Sequence, residues 1–108
     1  MATTMIHVLA MLHAGSEGIE GLQDYESRAI PIMKMHGGRV LSAFRPEGHE
    51  HPEIPDEIHL IEFPSEEAFQ SFRSDSQVAR LAERRALAIS KTVIYRSEEL
   101  LDYKDGKS

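Results

Sequence analysis

Glu62-Phe63-Pro64-Ser65-Glu66-Glu67-Ala68-Phe69 decides the fold of this chain. A proline closes a strand, a serine is placed to cap a helix, and two glutamates occupy that helix's positive first turn. Backward from Phe63, the run from Glu57 is largely apolar and reads as a strand. Forward from Ser65, Phe69 and Phe72 share a helical face, Ser74-Asp75-Ser76 can break and recap the helix, and Val78, Leu81, Ala82 and Ile89 continue it. Thr92 to Arg96 alternates as a last strand, and the polar tail from Asp102 is expected to be loose.

A second piece, His36-Gly37-Gly38-Arg39, marks the handover from an earlier helix to a strand over Val40 to Arg45, because glycine accepts the left-handed conformation at a helix C-terminus. The helix before it runs from Ile19 to His36, with Leu22, Tyr25, Ala29, Ile32 and Met33 on one stripe. Pro31 lies inside that stripe, lacks an N–H and predicts a kink or division. Gly15, Gly18 and Gly21 punctuate the turn before it, with Ser16 available as a cap. Met5 to Leu12 is a continuous apolar run that suits a central strand buried on both faces. Pro46 to Asp56 is a polar, proline-bearing loop.

The order is strand, helix, strand, strand, helix, strand, the ferredoxin-like α+β arrangement βαββαβ with a four-stranded antiparallel sheet, in one domain over residues 1–108. Right-handed crossovers put the first and third strands side by side in the middle of the sheet, with both helices on one face. Alternation assigns Ile6, Val8, Ala10, Ile61 and Phe63 to the helix side. Met5, Leu9 and Met11 then lie on the open face, which is too apolar for water and predicts a homodimer whose two sheets face each other as a barrel.

Composition narrows the function. The formal net charge is -6, from 18 acidic and 12 basic side chains, which argues against nucleic acid as a partner. The one basic cluster, Arg80-Arg84-Arg85, reads as a solvated helix face. Cysteine is absent, which removes disulfides, thiol nucleophiles and thiolate metal sites. Met5 to Leu12 is too short to span a bilayer and lacks the flanks of a secretion signal, so no membrane association and a cytoplasmic location are expected. Gly15-Ser16-Glu17-Gly18 has neither the lysine nor the spacing of a phosphate loop, and no serine sits on a nucleophile elbow.

The Gly37-Gly38-Arg39 turn, the Ile61-Glu62-Phe63-Pro64-Ser65 strand end, Phe72 and Arg85, with Tyr25 and Pro31, resemble the domain of unknown function 1330 group. That group belongs to the dimeric α/β-barrel superfamily, which also holds the antibiotic-biosynthesis monooxygenases. The aromatic that the group carries after Phe72 falls on Val78 here. The resemblance implies the fold and dimerisation, and a small enzyme working without a bound cofactor.

Three constellations carry possible chemistry. Antiparallel pairing brings His7, Glu62 and Arg39 to one edge of the sheet, with His7 and Glu62 on the open face. An imidazole oriented by a carboxylate is a workable general base and the guanidinium suits an anionic substrate, while a buried ion pair across the dimer seam explains the same residues. At the opposite edge, His13, His59 and the loop pair His49 and His51 offer imidazole ligands to a transition metal, or are solvated loop histidines. Tyr25, Met33, Phe69 and Phe72 are either plain core or the lining of a pocket between helices and sheet for a small hydrophobic ligand. Two functions are therefore expected as alternatives. One is a cofactor-independent monooxygenase or isomerase acting on a hydrophobic oxygenated molecule, with His7, Glu62 and Arg39 catalytic. The other is a non-catalytic ligand-binding or stress-associated dimer.

Overall fold

In the computed structural model, which describes residues 4–99, 101 and 103, the two decisive pieces of sequence lie against each other. Gly37 has a φ of 82°, and a Cβ there would meet the Pro64 ring at 2.9 Å. A Cβ on Gly38 would stand 2.5 Å from Met33 Cγ and 2.8 Å from Phe63 Cε1. Only glycines let the helix end turn this tightly across the strand end. Apart from Tyr103, the tail from Asp102 lies outside the described residues.

The elements are β1 (Ile6–Ala14), α1 (Gly18–Met35), β2 (Arg39–Phe44), β3 (Glu57–Phe63), α2 (Glu66–Arg73), α3 (Ser76–Ala79), α4 (Ala82–Ala88) and β4 (Ile89–Ser97). The sheet order is β2-β3-β1-β4, with every neighbouring pair antiparallel. This is the ferredoxin-like α+β arrangement expected from the order of elements. Ser65 caps α2 as expected, its hydroxyl accepting the Ala68 N–H at 3.0 Å.

Several local expectations are corrected. Pro31 lies inside α1 without dividing it. Its ring is exposed, the lost N–H removes one rung, and buried Ala29, Ile32 and Met33 hold the helix to the sheet on either side. Glu17 rather than Ser16 takes the N-cap position of α1, without a side-chain capping bond. The break and recap expected at Ser74-Asp75-Ser76 is present, Asp75 accepting the Gln77 N–H at 2.7 Å, but a further break before Ala82 leaves three short helices after Ser65. Ile89 begins β4 rather than extending a helix.

Register fixes which side chains share a face. On the helix side, Val8 pairs with Ile61 and Arg96, Ala10 with His59 and Ile94, and Leu12 with Glu57 and Thr92. On the open side, His7 pairs with Glu62 and Ser97, Leu9 with Leu60 and Tyr95, and Met11 with Ile58 and Val93. Beneath the helices the core divides in two. Ile6, Val8, Met33, Phe63 and Phe69 form one cluster, and Leu12, Leu22, Ala88 and Ile89 form the other. Ala10, a small side chain in the central strand that belongs to neither cluster, lies between them on the helix side. Its lack of bulk leaves space where the two clusters would otherwise join.

Candidate functional site

That space is a cavity of about 430 Å³ between the helices and the sheet. Its walls come from both core clusters, and Tyr25, Met33, Phe69 and Phe72 all line it. Met33 and Phe69 are at the same time core residues, so the two readings of these side chains coincide. The polar lining is Glu26, His59, Arg73, Arg85 and Thr92.

His59 occupies the centre of the acidic wall and is 6% exposed. Its Nε2 stands 2.9 Å from Glu57 Oε1 and 3.1 Å from Glu26 Oε2. A charged imidazole, or the neutral tautomer protonated at Nε2, has one hydrogen on Nε2, which serves one acceptor well. Glu57 receives it, and Glu26 Oε2 is left buried without a hydrogen-bond partner. The far oxygen of Glu57 accepts from Arg45 Nη2 at 3.1 Å. A second opening, rimmed by Lys34, Val40 and Ala43, reaches the same three side chains from beneath β2.

Burial alone would pull the His59 imidazole down, but Glu26 and Glu57 outweigh it and hold it above its ordinary value. Burial pushes the Glu26 carboxyl up, and proximity to Glu57 adds to this against the lowering by His59. For Glu57 burial also pushes up, but hydrogen bonds from Glu26, His59 and Arg45 win and hold it below. The two carboxyls are driven apart, one toward the acid and one toward the carboxylate. Tyr25 is kept a neutral phenol by burial, with Arg85 opposing.

These shifts set a pH dependence of stability. The raised His59 value contributes stability fully present below its unfolded value of 6.5 and lost as pH rises through the folded value. The raised Glu26 value works in the same direction, since above 4.5 the folded chain keeps a proton that the unfolded chain releases. Glu57 acts oppositely, its stabilisation being lost as pH falls below 4.5 through the lowered folded value. Urea midpoints are expected to fall from pH 6 to pH 9, and to fall less in Glu26→Gln. A larger fall in Glu26→Gln would contradict the shared proton.

His7, Glu62 and Arg39 meet at the sheet edge. His7 Nε2 lies 3.2 Å from Glu62 Oε2, and Arg39 Nη2 lies 3.3 Å from Glu62 Oε1. His7 and Glu62 face away from the cavity, however, on the open side of the sheet. His7 Nδ1 is buried and has no hydrogen-bond partner among the described residues.

The four histidines offered as metal ligands do not assemble. Ile61 and Phe63 face the helices, and a period of two puts His59 on that side, whereas His13, in step with His7, faces the other. His13, His49 and His51 line a separate surface hollow, where His49 Nδ1 is 3.3 Å from Asp56 Oδ1. Among the described residues, the three donors close enough to hold a cation are Glu26, Glu57 and His59, all within 4.8 Å of one another. The same period of two places Glu57, two residues before His59, on that strand face, although the sequence reading did not single it out. Glu26 had no comparable signal, being one more acidic residue beside a helical stripe.

Comparison with known proteins bears on the fold. The family model described as domain of unknown function (DUF1330) matches residues 8–97. No curated protein matches the chain. Among solved structures, a protein of unknown function from Rhodopseudomonas palustris is similar at 21% identity and a TM-score of 0.74, over 92% of this chain and 85% of that one. A candidate antibiotic biosynthesis monooxygenase from Caulobacter crescentus is similar at 17% identity and a TM-score of 0.68, over 93% of both chains. A dabb family protein with a ferredoxin-like fold from Mesorhizobium loti is similar at 16% identity and a TM-score of 0.65, over 89% of this chain and 97% of that one. Among the described residues, no helix is long and apolar enough to cross a membrane.

Proposed function

The chain belongs to the domain of unknown function 1330 family, and on that premise we propose that it is an enzyme moving a proton on a hydrophobic oxygenated molecule held in the helix–sheet cavity. The observation that carries this reading is the His59–Glu26–Glu57 cluster, whose Glu26 and His59 side chains stand in the wall of a mostly apolar cavity. Charge and hydrogen-bonding capacity are costly to bury, and Glu26 Oε2 is left unused inside the protein. Glu26, whose carboxyl is driven upward, takes a proton from a phenol or from carbon beside a carbonyl. His59, whose imidazole Glu26 and Glu57 hold above its ordinary value against burial, faces the oxygen on which negative charge develops. A cofactor-independent oxygenase and an isomerase both begin with this step.

The base is therefore placed in the cavity rather than at His7. His7, Glu62 and Arg39 serve the open face, where the second part of the proposal applies. Two copies pack sheet to sheet, covering Leu9, Met11, Leu60 and Val93 and the exposed rings of Phe44 (56%) and Tyr95 (62%). A partner also gives the unpaired His7 Nδ1 a place to bond. Each fully covered side chain of this kind contributes roughly 1.5–3 kcal/mol, so Leu60→Asp is expected to yield a monomer in sedimentation velocity at micromolar concentration. A wild-type monomer under those conditions would contradict the sheet interface.

The catalytic reading is tested by screening acidic phenols and β-dicarbonyl compounds for tautomerisation or oxygen uptake with untagged protein of measured metal content. Turnover without stoichiometric metal supports it. Stoichiometric transition metal that is needed for turnover would make Glu26, Glu57 and His59 its ligands rather than a proton-moving cluster. Absence of turnover across the panel would favour a non-catalytic ligand-binding dimer.

A further inference from the structure

The cavity has a second pole. His59 and Ile94 both pair with Ala10, and Glu57 and Thr92 both pair with Leu12. Glu57 and His59 on β3 and Thr92 on β4 thus face each other across the central strand, two strand spacings or about 10 Å apart. The floor between them is Ala10 and Leu12, and the walls are aliphatic and aromatic.

On the β4 side the groups are of the opposite character. Arg85 donates from Nη2 to Thr92 Oγ1 at 3.1 Å, which orients its guanidinium. Tyr25 presents a phenol beside it. Five arginines among the described residues pair with carboxylates: Arg28, Arg39, Arg45, Arg84 and Arg96. Arg73, Arg80 and Arg85 do not, and of these Arg73 and Arg85 line the cavity. In a chain with a formal charge of -6, carboxylates are plentiful, so two cavity-lining guanidiniums with no carboxylate among the described residues, Arg85 bonded to Thr92 and Arg73 stacked over the Phe69 ring at 5.4 Å, are a site for an anion from outside. Arg85 was read in the sequence as part of a solvated basic face; it is exposed, and its bond to Thr92 sets the guanidinium at the cavity lining.

The geometry points to an elongated, carboxylate-bearing aromatic ligand, its anionic end held by Arg85 and its oxygenated end against His59 and Glu26. This rests on the helix–sheet cavity being the reaction site, and it specifies the substrate class. The carboxylate meets a fork of donors bidentately, with the Tyr25 hydroxyl available as a further donor. The ring fills the space over Ala10 against Phe69 and Phe72, and a para oxygen reaches the opposite wall. A ligand with an acid at one end only leaves the other pole unsatisfied, which is a larger loss than the missing contact. Orientation follows from charge: a carboxylate placed against Glu26 and Glu57 is repelled, so the ligand enters one way round.

Calorimetric titration with three probes tests this: 3-(4-hydroxyphenyl)propanoate, its methyl ester, and 3-phenylpropanoate. The acid is expected to bind about tenfold or more tightly than the ester, with affinity falling as salt rises. Arg85→Gln, an exposed position whose fold is checked by circular dichroism, is expected to abolish the preference for acid over ester. His59→Gln is expected to keep that preference and lose the preference for the hydroxylated over the plain ring. Equal binding of acid and ester, discrimination unchanged in Arg85→Gln, or no binding of any probe at millimolar concentration would overturn the assignment. Acid preference without turnover on any substrate would leave this assignment standing and remove the catalytic reading instead.

Discussion

His59→Gln is expected to lower turnover by about 10²–10⁴-fold, the range for removing a group that takes part in proton transfer. Glutamine keeps a donor near Glu57 but cannot carry charge, so the oxygen gaining negative charge loses its cationic neighbour. The loss is expected in kcat more than in KM, because the interaction strengthens as the charge forms. Glu26→Gln is expected to lose activity to a similar degree, by removing the acceptor itself. The two variants should not multiply, since both act on one proton. Stopped assays at matched folding, on whichever substrate the screen finds, decide it. Activity unchanged in both variants would place the chemistry elsewhere, and activity lost only in His7→Ala would place it at the sheet edge.

Phe63→Ala is expected to cost about 3–5 kcal/mol, the range for emptying a buried aromatic site. Phe63 is 1% exposed and packs against the rings of Phe69 and Phe72 at centroid distances of 5.2 and 5.7 Å. It also rests on Gly38, the point where the end of α1 meets the end of β3. Truncation therefore opens the core and loosens the joint that sets α1 against the sheet. Against a total stability of about 5–15 kcal/mol, much of the folded population should be lost at moderate urea. Phe63→Leu, which fills most of the volume, is expected to lose less. A midpoint for Phe63→Ala close to wild type would mean that the joint is held by something other than this ring.

Most of the fold was legible because its signals are local. Pro64, Ser65, the glutamates after it and the glycine pair each restrict the backbone by themselves, and their order leaves one small topology. The sheet edge was legible for the same reason: once pairing was antiparallel, His7, Glu62 and Arg39 had to meet. The lining of the cavity by Tyr25, Met33, Phe69 and Phe72 followed from helical spacing. What was not legible depended on packing across elements. Glu26 joins His59 only because α1 crosses β3 at that depth, and no spacing along the chain encodes the crossing. Arg85, though exposed, reaches the cavity lining through Thr92, seven residues later, across a helix-to-strand turn placed by Ala88 and Ile89. Pro31 misled because its local cost was weighed without the core that holds α1 on either side.

The site claim is reached most directly by methyl chemical-shift mapping with 3-(4-hydroxyphenyl)propanoate. Ile61 and Ile94 face the cavity, and Leu9 and Leu60 face the open side of the same strands. The account predicts shifts at Ile61 and Ile94 that saturate with ligand, with Leu9 and Leu60 unmoved. Saturating shifts at Leu9 and Leu60, with Ile61 and Ile94 unmoved, would contradict it.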